Sequence, residues 1–208
     1  MEIIKRLVAS DKYNIKCPYT MTPEYITIHN TANDAPAANE ISYMSNNNNE
    51  VSFHIAVDDK EAIQGIPFNR NAWHAGDGGK GTGNRKSIAI EICYSKSGGE
   101  RFNKAFANAI EVTAQLMKEF NIPAKNIKYH KDWSGKICPH RLLSMGVAVD
   151  DFRQMAQLKY NQLYKTVEPE PAVMYQVVTG SFKDRANANK RIAELKAKGF
   201  DSFIQVKK

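Results

Sequence analysis

The residues of this 208-residue chain best suited to bind a metal or attack a substrate are its five histidines and three cysteines. His130 and Cys138 flank the segment Lys131-Asp132-Trp133-Ser134-Gly135-Lys136-Ile137. Imidazole nitrogen and thiolate sulfur are the borderline-soft donors that zinc takes. A loop of that length can fold back so that both donors meet one ion. His29, at the end of a distant strand-like segment, could supply a third donor and leave a fourth position for water, which is the catalytic arrangement. Two neutral imidazoles and one thiolate leave a zinc ion with net positive charge, enough to acidify a bound water. The same spacing also fits a satisfied histidine and an inert buried thiol, and alone it does not choose between them.

The elements that must position these residues can be read from periodicity. Three segments alternate as strands do: Tyr25–His29, Val51–Val57 and Ser87–Cys93. In each, one face is bulky and apolar. The other is small or ionisable: Thr27 and His29; Ser52, His54 and Ala56; Ala89, Glu91 and Cys93. If the three share a sheet, two histidines and a glutamate line one side of it, as the floor of a cleft would require. Helices are expected from Asp34 and Pro36 through Met44, over Lys104–Phe120 before the stop at Pro123, and from Asp150 or Asp151 through Leu158. Asn46 to Asn49 reads as a helix exit and loop. The glycine-rich run His74–Gly81 reads as a loop that fits neither a dinucleotide fingerprint nor a P-loop. Strands interleaved with helices predict an α/β fold with a mixed central β-sheet.

His29-Asn30-Thr31, Ser52 through Asp58, Trp73-His74-Ala75-Gly76, Ser87 through Glu91 and His130 through Pro139 follow one another in this order. Together they resemble the type 2 N-acetylmuramoyl-L-alanine amidases, relatives of the peptidoglycan recognition proteins. The likeness is nearest to endolysins of phages and prophages of Bacillus-like hosts and covers roughly residues 1–160. It implies a zinc-containing groove on a mixed sheet flanked by helices. It implies His29, His130 and Cys138 as zinc ligands, Glu91 as the carboxylate that activates water, and Lys136 as the cation that stabilises the oxyanion. The implied reaction is hydrolysis of the amide between N-acetylmuramic acid and L-alanine in bacterial cell-wall peptidoglycan. The implied alternative is a recognition module of the same fold without catalysis.

Other residues in the motifs have open roles. His54 is expected to line the cleft or support it from behind rather than bind metal, and a buried hydrogen-bonded histidine is the other open reading. Trp73 and His74 are placed to contact a sugar or stem peptide, or simply to pack the loop; Asn84 with Arg85 is placed to meet stem-peptide carboxylates. Cys17 and Cys93 are expected to be buried thiols.

Composition bounds the rest. Hydrophobic residues make up 42% and charged residues 25%, as in ordinary globular domains. No apolar run approaches the ~20 residues that span a bilayer, so no stable membrane insertion is expected. An odd number of cysteines without framework spacing argues against a disulfide scaffold. The net charge is +7. Residues 165–208 hold nine basic against five acidic residues, so much of the excess lies in the tail. Such charge favours anionic polymers generally. No aromatic–basic recognition motif accompanies it, so nucleic acid is not an expected partner. Met1–Ser10 lacks the apolar stretch of a signal peptide. Together with the resemblance, that leads to the expectation of synthesis in the cytoplasm and release to the wall by a holin-type pore.

Thr166-Val167-Glu168-Pro169-Glu170-Pro171-Ala172 reads as a semi-rigid linker. The expected division is a catalytic domain over 1–164, a linker over 165–173 and a small βαβ unit over 174–208. In that unit, strands at Tyr175–Phe182 and Asp201–Val206 flank a helix capped by Asp184. Gly180-Ser181-Phe182, Ala186-Asn187-Ala188 and Gly199-Phe200 resemble half of a SPOR domain, a peptidoglycan-binding module.

Overall fold

The computed structural model describes residues 1–165 and 178–206. The chain divides into two compact units, Met1–Thr166 and Val167–Lys208.

The first unit is built on a six-stranded sheet. Its strands are β1 (Ile3–Lys5), β2 (Tyr25–Asn30), β3 (Ile55–Val57), β4 (Ala62–Gln64), β5 (Ser87–Ile92) and β6 (Ile127–Tyr129). They lie in the order β1-β4-β3-β5-β2-β6. Only the β3–β4 hairpin is antiparallel; β1–β4, β3–β5, β5–β2 and β2–β6 are parallel. The sheet is therefore mixed, as expected. Around it run the short helices α1 (Tyr13–Lys16), α3 (Thr82–Lys86), α5 (Lys131–Ser134) and α6 (His140–Ser144). The longer ones are α2 (Ala37–Asn46), α4 (Gly99–Glu119) and α7 (Val149–Tyr164).

The apolar alternation of β2 and β5 forms the centre of the core. Ile26, Ile28, Ile88, Ile90 and Ile92 are fully buried. Helix α4 buries Phe102, Ala105, Ala109, Val112 and Leu116, and it begins five residues before the expected start, at Gly99. Helix α7 adds Phe152, whose ring lies 5.9 Å from Phe106 and 6.2 Å from Tyr129. Asp151 accepts the Ala148 N–H at 2.8 Å and so closes the start of α7. At α2 the cap comes from elsewhere in the chain. The Asp58 carboxylate accepts the Ala37 N–H at 2.9 Å.

One expected strand is shorter than its sequence pattern. Of Val51–Val57 only Ile55–Val57 pairs as a strand. Upstream, the Ser52 N–H bonds the Trp73 carbonyl and its hydroxyl donates to the Lys16 carbonyl at 2.6 Å, so loop partners replace sheet partners.

In the second unit, α8 spans Arg185–Ala197, with Asp184 accepting from the Ala186 and Asn187 N–H groups as its N-cap. Gly199 follows it with φ +83°, the left-handed helix exit. The two flanking strands of the expected βαβ unit do not appear among the described residues. Residues 178–182 and 201–206 carry no strand. A strand exists only through ladder hydrogen bonds to a neighbour, and alternation in the sequence does not provide that neighbour. The linker at 166–173 and the start of the first expected strand, Tyr175–Val177, lie outside the described residues.

A candidate metal centre and its groove

Three parallel strands deliver the site. In the β2–β5 register His29 faces Glu91, and in the β2–β6 register Ile28 faces Tyr129, so His130 emerges beside His29. All three residues thus stand at the carboxyl ends of adjacent strands, where open α/β sheets place their ligands.

Cys138 is returned to this edge by its own loop. The Lys131 N–H donates to the Cys138 carbonyl at 3.0 Å, which closes the segment between the two residues. Trp133, inside the loop, anchors it to the sheet: its indole N–H donates to the Thr27 hydroxyl at 2.9 Å, and its ring meets Tyr25 edge-on. Asp132 accepts the Tyr129 N–H at 2.9 Å. Beyond Cys138, the Asn30 side chain accepts the N–H groups of Arg141 and Leu142, capping α6 from β2. Sequence reasoning missed Trp133, Thr27, Asn30 and Asp132 as positioning residues. Their partners lie far away in the chain, and no local pattern pointed to them.

The result is a buried cluster. The Nδ1 atoms of His29 and His130 are 3.1 Å apart, and Cys138 Sγ lies 3.7 Å from His29 Nδ1. All three donor atoms lie within 4.8 Å of one another, and each residue is at most 6% exposed. The donor chemistry fits a tetrahedral ion. Bonds of about 2.0 Å to nitrogen and 2.3 Å to sulfur put ligand atoms about 3.3–3.6 Å apart. Burial, with neighbouring His74, His130 and Lys136, holds His29 well below the ordinary imidazole range. Burial and then Lys136 lower His130. Both rings are therefore neutral and available as ligands. The Cys138 thiol is pushed up to about 11, chiefly by burial and then by Glu91. Without a metal ion it is a thiol at neutral pH.

Glu91 Oε1 lies 4.0 Å from His29 Nδ1, and its buried Oε2 has no partner among the described residues. Burial, then Glu40, raise this carboxyl to about 8, against the pull of Lys136. A carboxyl poised near neutrality beside a candidate metal centre suits proton transfer. Lys136 is exposed, and its charge is felt at His29, His130 and Glu91.

The remaining expected site residues sit otherwise. His54 is fully buried. Its Nδ1 accepts the Ala89 N–H at 3.0 Å and its Nε2 donates to the Arg70 carbonyl at 3.0 Å, so neither nitrogen can meet a substrate. The expected place among the substrate contacts is therefore corrected: His54 is a buried, hydrogen-bonded histidine that ties β5 to the Arg70 loop. Asn84 is also buried. Its Oδ1 accepts the His74 and Ala75 N–H groups and its amide donates to Gly78. That shapes the 74–83 loop and commits both polar atoms of the side chain to loop backbone, away from the expected stem carboxylates. Trp73 is half-buried, with its indole N–H on the Ile15 carbonyl and its ring edge-on to Tyr19, which is loop packing. His74 is buried beneath His29, with 3.1 Å between His29 Nε2 and His74 Nδ1. Cys17 and Cys93 are buried free thiols, as expected.

The buried neutral state of His54 has a measurable consequence. Burial lowers its pKa from 6.5 to about 4. The unfolded chain therefore takes up a proton at this residue before the folded protein does. Its contribution is fully present above pH 6.5, is lost as pH falls through the window down to about 4, and amounts to on the order of 3 kcal/mol. Urea unfolding in chelator should show a steeper loss of stability between pH 7 and 4.5 for the wild type than for His54→Gln, which starts less stable. Parallel slopes would contradict it.

A buried group of two imidazoles and a thiol, at the carboxyl ends of parallel strands with a carboxyl alongside, defines an α/β protein with a candidate metal centre. The chain belongs to the N-acetylmuramoyl-L-alanine amidase family Amidase_2, whose model matches residues 19–141. The SPOR domain model matches residues 149–206, beginning at the first residue of α7 within the first unit. The chain is 62% identical over 146 residues to the N-acetylmuramoyl-L-alanine amidase CwlA of Bacillus subtilis (strain 168), covering 70% of this chain and 54% of that protein. It is 63% identical over 142 residues to the amidase XlyB of the same strain, covering 68% and 45%. It thus spans about half the length of these curated relatives. Among solved structures, that of PlyL aligns with a TM-score of 0.73 and 62% identity over 75% of this chain and 97% of that one.

Proposed function

We propose that this chain is a zinc-dependent peptidoglycan hydrolase that cleaves the amide joining N-acetylmuramic acid to L-alanine. The observation that carries this reading is the convergence of His29, His130 and Cys138 within 4.8 Å, with Glu91 Oε1 4.0 Å from His29 and its buried Oε2 without a partner among the described residues. Amidases named for this bond, alike over most of the first unit, support it. A purely recognising groove would need neither the donor set nor the unpartnered carboxyl.

His29, His130 and Cys138 would hold the zinc, which when bound polarises the amide carbonyl and acidifies water. Glu91 takes the proton of the attacking water and returns it to the nitrogen of the departing L-alanine, which as an amide anion would be a very poor leaving group. The Lys136 ammonium stabilises negative charge on the carbonyl oxygen as the carbon becomes tetrahedral. The buried His54 and the half-buried Trp133 keep these groups fixed between substrates.

The reading extends to the second unit. A catalytic domain over 1–164, a linker over 165–173 and a wall-binding segment over 174–208 would tether the hydrolase to glycan and raise its local substrate concentration. The SPOR match and the basic excess of residues 165–208 support this. Among the described residues no helix is long and apolar enough to cross a membrane. The setting proposed is that of an endolysin acting on the wall.

Mass analysis of digested peptidoglycan tests the bond. Stem peptides should appear with new free L-alanine amino groups and no new reducing sugar ends. New reducing ends, or free amino groups at another peptide position, would assign a different bond.

A further inference from the structure

We propose that His74 is the positioning residue of the metal centre: its Nδ1 accepts the Nε2–H of His29 and thereby fixes the tautomer that leaves His29 Nδ1 free to bind the ion. The inference rests on the metal reading above and assigns a role to a residue first expected to contact substrate.

The geometry leaves little freedom. His29 Nδ1 is the nitrogen that faces the centre, 3.1 Å from His130 Nδ1 and 3.7 Å from Cys138 Sγ. A neutral imidazole carries one N–H. If Nδ1 is to be a ligand, the proton belongs on Nε2, and Nε2 lies 3.1 Å from His74 Nδ1. His74 must then be the acceptor, with its own proton on Nε2. The opposite arrangement, in which His74 Nδ1–H donates, would place the His29 proton on Nδ1 and aim it at the ion.

His74 is held for this task by its backbone rather than its ring. Its N–H and that of Ala75 both donate to Asn84 Oδ1, at 2.9 and 2.8 Å. The Asp77 carboxylate in turn accepts the N–H groups of Gly83 and Asn84 at the start of α3. Gly83 is where the loop meets the ligand loop. A Cβ there would lie 2.5 Å from the Ala75 side chain and 2.9 Å from the Trp133 ring, so only glycine allows the approach. His74 is 8% exposed, and its Nε2 has no partner among the described residues. The two rings meet edge-on at 85°, with centroids 5.1 Å apart.

The choice of an imidazole has a chemical consequence. Histidine ligands commonly donate their second N–H to a carboxylate, a carbonyl or water. A carboxylate would pass negative charge to the ligand and offset part of the ion's charge. A neutral imidazole sets the same orientation without adding charge, and leaves the centre more electrophilic toward an amide.

The test uses the full chain, stripped of metal and titrated with Zn2+ against a chromophoric chelator. It is joined by long-range 1H–15N spectra of the histidine rings in the zinc-loaded wild type. The spectra should place the protons of His29 and His74 both on Nε2. His74→Leu should weaken zinc affinity about 10–100-fold with little change in the melting temperature of the metal-free protein. His74→Asn, whose side-chain oxygen can take the place of Nδ1, should recover most of the affinity. A His29 proton on Nδ1 in the loaded protein would overturn the proposal, and so would wild-type affinity in His74→Leu. The wild-type spectra decide the matter even if a variant fails to fold. A wild type without zinc affinity would instead overturn the metal reading beneath it.

Discussion

Glu91→Gln should retain zinc and lose turnover by about 10²–10⁴-fold, the range a positioned acid–base group contributes. The amide replaces a carboxyl of nearly equal size, so the packing of β5 survives. What disappears is the carboxyl 4.0 Å from His29, and with it the path of a proton from water to the departing nitrogen. Zinc content per chain and the rate of muropeptide cleavage separate the two effects. Full activity in a zinc-loaded Glu91→Gln protein would remove Glu91 from the mechanism. The pH profile carries a second expectation. Burial, then Glu40, hold the carboxyl at about 8 in the metal-free protein, against the pull of Lys136. A positive ion beside it favours the ionised form, so the acid limb of kcat/KM should fall below that value. In Glu91→Gln the limb should vanish with the activity.

Cys138→Ser should weaken zinc retention by more than the His74 variant does, because it changes a ligand and not a ligand's neighbour. The thiol sits at about 11, raised by burial and Glu91. At pH 7 it must release its proton to bind as thiolate, and zinc compensates for that loss by a strong bond to sulfur. A serine hydroxyl loses its proton far less readily and remains a weak neutral donor. Calorimetric titration with Zn2+ in buffers of different ionisation enthalpy should count one proton fewer released by the variant than by the wild type. Equal proton release with equal affinity would mean that Cys138 is not a ligand. The variant itself should fold. The loop is closed by the Lys131 N–H on the Cys138 carbonyl and by Trp133 on Thr27, neither of which needs the sulfur.

The two variants divide the site along a physical line. Loss of Glu91 removes proton transfer while the ion stays; loss of Cys138 removes the ion while the proton acceptor stays. Both activities should fall, and only one should recover when zinc is supplied in excess. His54 lies on neither side of that line, because both its ring nitrogens are spent on backbone groups. Its substitution should be felt in stability first.

The amino-acid sequence determined those parts of the protein whose signal repeats locally. The alternation of isoleucines marked β2 and β5, and the apolar stripe from Phe106 to Phe120 marked most of α4; the family resemblance, not a local pattern, pointed to His29, His130, Cys138 and Glu91 as one site. What it did not determine is what depends on partners distant in the chain. Strands β1, β4 and β6 are three residues long, too short to show a period, and exist because neighbours supply their hydrogen bonds. The expected tail strands show the converse, with alternation present and no paired neighbour among the described residues. His74 opened a glycine-rich loop and Asn84 stood just beyond it, and from sequence either could have faced substrate. Only folding set one beneath His29 and committed the other to the loop backbone. Periodicity records which face of an element is buried. The direction of a hydrogen bond between side chains 45 residues apart is decided when the sheet brings them together.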